Sequence, residues 1–395
     1  MSIAILSAVR TPIGRFLGSL KDVPAKDLGI GSAKAALERA GVAPLEVGET
    51  IFGMARQAGN GPNPARQVSL GAGVPEETPA WTVNQACASG VKAITLGAAA
   101  IEDGEAEIAL VGGMESMTRV PYLLENARLG YRLGPSEVVD GMYRDGFDDP
   151  LSKLVMGETA EELAGEKGIT RAAADAWALG SQNRNERARA AGRFASEIAP
   201  ITVPGRRGDT LVETDEHPRD GVTLPSLEKL APVFRPNGTV TAGNASGITD
   251  GAAMLLMMTR AKAEALGLPI LASFVDHSSA GVAPARMGYG PVPAIEKLLA
   301  KRGLSSVNAF DLVEINEAFA AQVLACERAL GLERERLNVN GGSIALGHPI
   351  GATGARIVVT LLHELRRRGQ ASGLASLCVS GGFGIAAAFR NEDAA

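Results

Sequence analysis

EIALVGG at 107–113 and LASLCVSGG at 374–382 each read as a short apolar strand running into glycines. Working back from each, the same order of signals recurs. In the first half, TVN at 82–84 ends a strand, a small-residue loop follows, and the apolar stretch ASGVKAITLGAAAI continues from Cys87 as a helix. In the second, NVN at 338–340, a glycine-rich loop and a helix over 353–368 take those places. Further back, a helix rich in Ala and Leu ends at Gly41 before ETIFG, and another ends at Gly303 before FDLVEIN, so both read helix, glycine stop, strand. The repeat implies an α/β fold built from two related halves.

Between the halves the chain turns polar and loop-rich, with GPSEVVDGMYRDGFDDP, a charged helix near 171–191 and the run DEHPRDGVTLP. An inserted lobe over 118–250 is expected there, since long connections in compact proteins usually carry binding function. The first half then covers 1–117, completed by about 251–267, and the second covers 268–395.

With 395 residues, 46% of them apolar, and 48 glycines against 4% aromatics, the chain suits a large core closely packed with small side chains. A formal net charge of -5, and no Lys/Arg cluster beyond Arg366 to Arg368 at a helix end, exclude a nucleic-acid footprint. Three separated cysteines form no disulfide framework and no zinc-ligand spacing, so no metal is expected and a reducing compartment fits. MSIAILSAVRTP lacks the pattern of a leader and reads as a strand, no apolar run is long enough to span a bilayer, and NEDAA matches no anchor or peroxisomal address. A cytoplasmic protein without a membrane partner is the expectation.

Cys87 lies between the strand AWTV and a helix start, where free helix amides favour a thiolate. His348 follows GGSIALG in a loop whose glycines let backbone approach a ligand closely, and can take a proton from a thiol or donate to a developing oxyanion. Cys378 projects from a strand end into VSGGFG, and a thiol there can act as acid or base. Asn316, directly after the strand DLVEI, either caps a helix or holds a catalytic water. For each of these, plain packing is the alternative. Cys326 shares helical spacing with Phe319, Val323 and Leu330 and belongs to the core, while His217, His277 and His363 read as surface or packing residues.

Taken together, VNQACASG at 83–90, GGMESM at 112–117, TAGNASG at 241–247, NEAFA at 316–320, GGSIALGHPIGATGAR at 341–356 and CVSGGFG at 378–384 resemble the thiolase family over nearly the whole chain. The resemblance implies the duplicated five-layer α-β-α-β-α thiolase fold with an inserted loop domain covering coenzyme A (CoA). It implies an acyltransferase that makes or breaks 3-ketoacyl-CoA, most similar to those acting on acetoacetyl-CoA, with CoA and acyl-CoA as substrates and no permanently bound cofactor. Cys87 would be acylated, His348 would help form its thiolate, and Cys378 would be the second acid/base. His348 and a water on Asn316 would face an enolate oxygen, and the backbone amides of Cys87 and Ser380 an acyl oxygen.

Ser246 and Ala242 would follow the pantetheine arm of CoA, lined by Met156, Phe234 and Phe319, with Arg219 near the nucleotide. The family pattern also implies a homodimer or homotetramer. Two positions depart from it: Ser380 stands where glycine is usual, and Val155 where many acetoacetyl-CoA-specific members have histidine. A broad-chain 3-ketoacyl-CoA thiolase, a ketosynthase-type condensing enzyme and a non-catalytic CoA- or lipid-binding homologue are the competing readings.

Overall fold

The computed structural model describes residues 2–206 and 208–392; Met1 and the end of the NEDAA tail lie outside them. The first half runs β1 (Ile3–Arg10), α1 (Ala25–Ala40), β2 (Glu49–Gly53), α2 (Pro64–Gly71), β3 (Ala80–Val83), α3 (Ser89–Glu102) and β4 (Ile108–Ser116). The chain then leaves the sheet for a stretch carrying α4 (Met156–Lys167) and α5 (Arg171–Ala190), and returns as β5 (Thr249–Thr259). The second half runs β6 (Ala272–Gly281), α6 (Pro291–Arg302), β7 (Leu312–Ile315), α7 (Ala320–Leu330), α8 (Ile350–Arg368), β8 (Ser372–Val379) and β9 (Phe383–Asn391).

The strand order is β7-β8-β9-β6-β1-β5-β4-β2-β3. In the first half β2 is parallel to β4, which is antiparallel to β5, which is antiparallel to β1. In the second half β7, β8, β9 and β6 repeat that pattern in that order. The counterpart of β3 shrinks to a single parallel bridge, Val313 to Leu337, just before NVN. Among the described residues, the halves meet edge to edge only where Ile3–Ile5 pair with Ala272–Phe274.

Side-chain alternation builds the layers. Along β5, Ala253, Leu255 and Met257 join a core with α3 and α8, whereas Ala252, Met254, Leu256 and Met258 join one with α1 and α2. Ala375, Leu377 and Val379 of β8 reach the same α3/α8 core from the other half, while Leu374 faces α6 and α7. Five layers follow: outer helices, half-sheet, the α3/α8 pair, half-sheet, outer helices. A bulge in β1 keeps both its faces apolar. Leu6 and Ser7 both turn outward, where the Ser7 hydroxyl donates to the Ala36 carbonyl at 2.6 Å, and beyond them Ala8 faces the middle helices again.

Gly41 and Gly303 end α1 and α6 in the left-handed conformation, φ 68 and 66, as their glycine stops imply. The helix expected over 353–368 begins earlier, at Ile350, because the Glu115 carboxylate accepts the Gly351 N–H at 2.8 Å and caps the first turn. Among the described residues, no helix is long and apolar enough to cross a membrane.

The middle helices touch backbone to backbone. A β-carbon on Gly90 would come within 2.5 Å of the Ala355 nitrogen, and one on Gly354 within 2.5 Å of the Val91 nitrogen. Neither neighbour can yield, so Gly354→Ala is expected to destabilise the protein by about 3 kcal/mol in urea unfolding, the upper end of overpacking costs. Gly165→Ala, on an exposed face of α4 with nothing within 4 Å, is expected to stabilise it by roughly 0.5–1 kcal/mol.

Candidate active site

Cys87 lies two residues before α3, in a turn held at both ends. The Asn84 side chain accepts the Ala86 N–H at 3.0 Å, and the Ser89 hydroxyl donates to the Ala86 carbonyl at 2.6 Å. Ala86 itself sits at φ 45, a left-handed conformation that costs a non-glycine residue about 1–3 kcal/mol. The turn aims the sulfur at His348, whose Nε2 is 3.4 Å away across 261 residues of chain.

Two hydrogen bonds fix the protonation of His348. The Thr353 hydroxyl donates its one hydrogen to the Pro349 carbonyl at 2.9 Å, so it accepts from His348 Nδ1, 2.6 Å away. Nδ1 therefore carries the proton of the neutral ring, and the Nε2 lone pair faces the Cys87 sulfur. Burial, with the charges of Arg356 and Arg56, pulls the imidazole down to about 3, so it stays neutral near pH 7.

Asn316 caps no helix: α7 starts at Ala320, after an N-cap at Phe319. Its Nδ2 instead lies 3.4 Å from His348 Nε2, and its Oδ1 accepts the Ser343 hydroxyl at 2.6 Å. Arg356 Nη2 donates to that same hydroxyl at 2.8 Å, leaving Ser343 only its own hydrogen to give. The chain of donors fixes the amide with its N–H side toward the histidine.

Cys378 is buried at the end of β8 and lines the same cavity as Cys87, His348 and Ser380. Burial pushes the Cys87 thiol up to about 11 and the Cys378 thiol well above its ordinary range. Opposing this at Cys87 are the charge of Arg56 and the nearby backbone N–H groups of Ser380 and Cys87. Ser380 avoids positive φ, because Gly381 and Gly382, at φ 89 and 91, make the turn instead. A serine thus presents the same backbone donor as the glycine usual there.

Ser246, Met156, Phe234 and Phe319 line the cavity with these residues, and Val155 does too, whereas Ala242 and Arg219 are exposed and outside its lining. Cys326 is fully buried on the inner face of α7. His277 packs beside Phe274, and His363 bonds the Ala8 carbonyl. His217 does more than pack: its Nδ1 is 2.8 Å from the Ala345 carbonyl, and its ring lies against Gly247, whose carbonyl accepts the His348 N–H at 3.0 Å. Among the described residues, no group of three His, Cys, Asp or Glu is placed to hold a metal.

Sequence reading missed the residues that hold the site in place. Glu317, fully buried, accepts from Trp177, Ser181 and Asn338 and ties α5 to the His348 loop. Glu115 accepts the N–H groups of Ala55, Arg56 and Gly351, joining β2 to α8. Thr353 and Arg356 could have been noticed as polar residues three apart on a buried helix. Arg56 and Glu115 carried no such signal.

The sequence profile described as "Thiolase, N-terminal domain" matches residues 3–261, and "Thiolase, C-terminal domain" matches 268–391. The chain is 51% identical over 391 residues to an acetyl-CoA acetyltransferase of Cupriavidus necator, covering 99% of each chain. It is 51% identical over 385 residues to one of Pseudomonas aeruginosa, covering 97% of this chain and 98% of that one. Its structure resembles the Bacillus anthracis acetyl-CoA acetyltransferase, with a TM-score of 0.97 at 46% identity over 99% and 98% of the two chains. It also resembles human mitochondrial 3-ketoacyl-CoA thiolase in complex with CoA, with a TM-score of 0.95 at 44% identity over 99% and 98%. With both halves matched along nearly their full length, and the repeated sheet closing over Cys87 and His348, the chain belongs to the thiolase family.

Proposed function

We propose that this chain is an acyltransferase that joins two acetyl-CoA into acetoacetyl-CoA and free CoA, and runs the reverse thiolysis of 3-ketoacyl-CoA. The convergence of Cys87, His348, Cys378 and Asn316 at one cavity carries the reading. The thiol passes its proton to the free Nε2 of His348, the sulfur attacks an acyl carbonyl to leave an acyl-cysteine, and the expelled CoA thiolate takes the proton of Cys378. The amides of Cys87 and Ser380 meet the oxygen that becomes negative. The Cys378 thiolate then removes the α-proton of the second acetyl-CoA, and His348 and a water on Asn316 stabilise its enolate. The enolate carbon attacks the acyl carbonyl as the Cys87 sulfur leaves and regains its proton from His348. In thiolysis Cys378 protonates the departing enolate.

CoA enters as substrate. Its pantetheine arm runs along Ser246 and, outside the cavity, Ala242, lined by Met156, Phe234 and Phe319, with Arg219 near the nucleotide. The inserted lobe over 118–250 covers it, between a first half of 1–117 completed by about 251–267 and a second of 268–395. Val155 in the cavity lining supports a second reading, turnover of chains longer than acetoacetyl-CoA. A cytoplasmic homodimer or homotetramer in fatty acid metabolism fits the family.

In acetoacetyl-CoA thiolysis, Cys87→Ala is expected to lower kcat by at least ~10⁴-fold. Asn316→Ala is expected to lower it by about 10²–10³-fold, as for one lost oxyanion donor; activity of Cys87→Ala near wild type would refute the mechanism. With the thiol raised and the imidazole lowered, both groups rest neutral rather than as an ion pair. The thiolate fraction then grows with pH up to a pKa near 11. Alkylation of Cys87 by iodoacetamide in the free enzyme is therefore expected to quicken continuously from pH 7 to 9, and a plateau beginning below pH 8 would contradict a neutral resting pair.

A further inference from the structure

The cavity has two apolar walls. One is built around Cys378, Phe319 and Met287 with Met156 and Phe234 against it, and lies where the pantetheine arm is proposed to run. The other is formed by Met117, Phe147 and Ile350 beside Cys87, backed by buried Ala55 and Met142. An acyl group carried on the Cys87 sulfur extends along this second wall.

Arg56, next to Ala55, lines the cavity and is 6% exposed. Its Nε has no hydrogen-bond partner, and among the described residues no side-chain hydrogen bond or ion pair reaches the guanidinium. The guanidinium lies directly on Gly146 of the lobe, where a β-carbon would come within 2.2 Å of Nη2. The nearby Glu115 carboxylate attracts it but gives it no hydrogen bond, since the Glu115 oxygens accept the N–H groups of Ala55, Arg56 and Gly351. A guanidinium stays charged at every physiological pH, and its planar fork matches a carboxylate. A methyl-ended chain laid against it removes its water and returns nothing, whereas a carboxylate restores its hydrogen bonds in charge-assisted form.

We propose that Arg56 receives a carboxylate at the far end of the acyl chain, so that 3-ketoacyl-CoAs ending in a carboxylate are preferred over methyl-ended chains of the same length. The proposal rests on the thiolase reading. In thiolysis the Cys87 sulfur bonds to C3 and the C2–C3 bond breaks. The acetyl-CoA fragment leaves as its enolate and is protonated, and the chain from C3 to the terminal carboxylate stays on the sulfur. A CoA thiol, giving up its proton, then takes that chain, and the products are acetyl-CoA and the CoA thioester of a dicarboxylic acid.

The test measures kcat/KM for thiolysis of carboxylate-ended and methyl-ended 3-ketoacyl-CoAs of six to eight acyl carbons, with acetoacetyl-CoA as reference. Wild type is expected to favour the carboxylate-ended member of at least one length by about tenfold or more, and Arg56→Met to lower that ratio by about 100-fold. Arg56→Lys should keep part of the preference. Wild type that cleaves acetoacetyl-CoA yet favours the methyl-ended chain at every length overturns the proposal alone, whether or not the variants fold. An equal loss on all chains in Arg56→Met, with slower alkylation of Cys87, also overturns it, since Arg56 would then act on the thiol. Failure to cleave any of these substrates, acetoacetyl-CoA included, overturns the thiolase reading and the proposal with it.

Discussion

Where Gly90 meets the Ala355 amide and Gly354 meets the Val91 amide, there is no room for a single β-carbon. That crossing sets the spacing of α3 and α8, and with it the spacing of what precedes their first turns. Cys87 comes just before one helix and His348 just before the other, each on a short turn pinned by local hydrogen bonds. Two half-sheets close on the same pair of helices, so a displacement of either half would move the sulfur from the imidazole. The site belongs to neither half alone.

Around that crossing, buried polar groups set orientation and protonation. Thr353 determines which imidazole nitrogen carries the hydrogen, and Arg356 through Ser343 determines which way Asn316 points. Glu115 and Glu317 bind backbone amides and lobe side chains to the same loops. Such networks stabilise one arrangement when every member is paired, because an unpaired buried group is costly. Arg56 and Arg356 depart from this, each a buried guanidinium with nitrogen left without a hydrogen-bond partner.

Much of the architecture was legible in the chain. Glycine stops at Gly41 and Gly303 mark helix ends because only a residue without a β-carbon takes that conformation easily. The repeated order of strands and helices predicts two halves, and the motif blocks place Cys87, His348, Cys378 and Ser380 around one cavity. Asn316 was left between two roles, and its geometry excludes the cap. Less legible were effects that depend on distant backbone. The early start of α8 comes from a carboxylate on β4, and His217 supports the His348 loop through Ala345 and Gly247. Ala242 and Arg219 followed from resemblance in the lobe and lie outside the cavity lining.

Acyl transfer to one sulfur is the step on which the rest depends. The most direct measurement is mass spectrometry of the protein quenched in acid after brief incubation with acetyl-CoA, followed by proteolysis and sequencing of the modified peptide. A single acetyl group on Cys87, lost on adding CoA and absent from Cys87→Ala, is the predicted result. Acetylation of Cys378 in place of Cys87, or no acetylated cysteine in enzyme that turns over acetoacetyl-CoA, would contradict it.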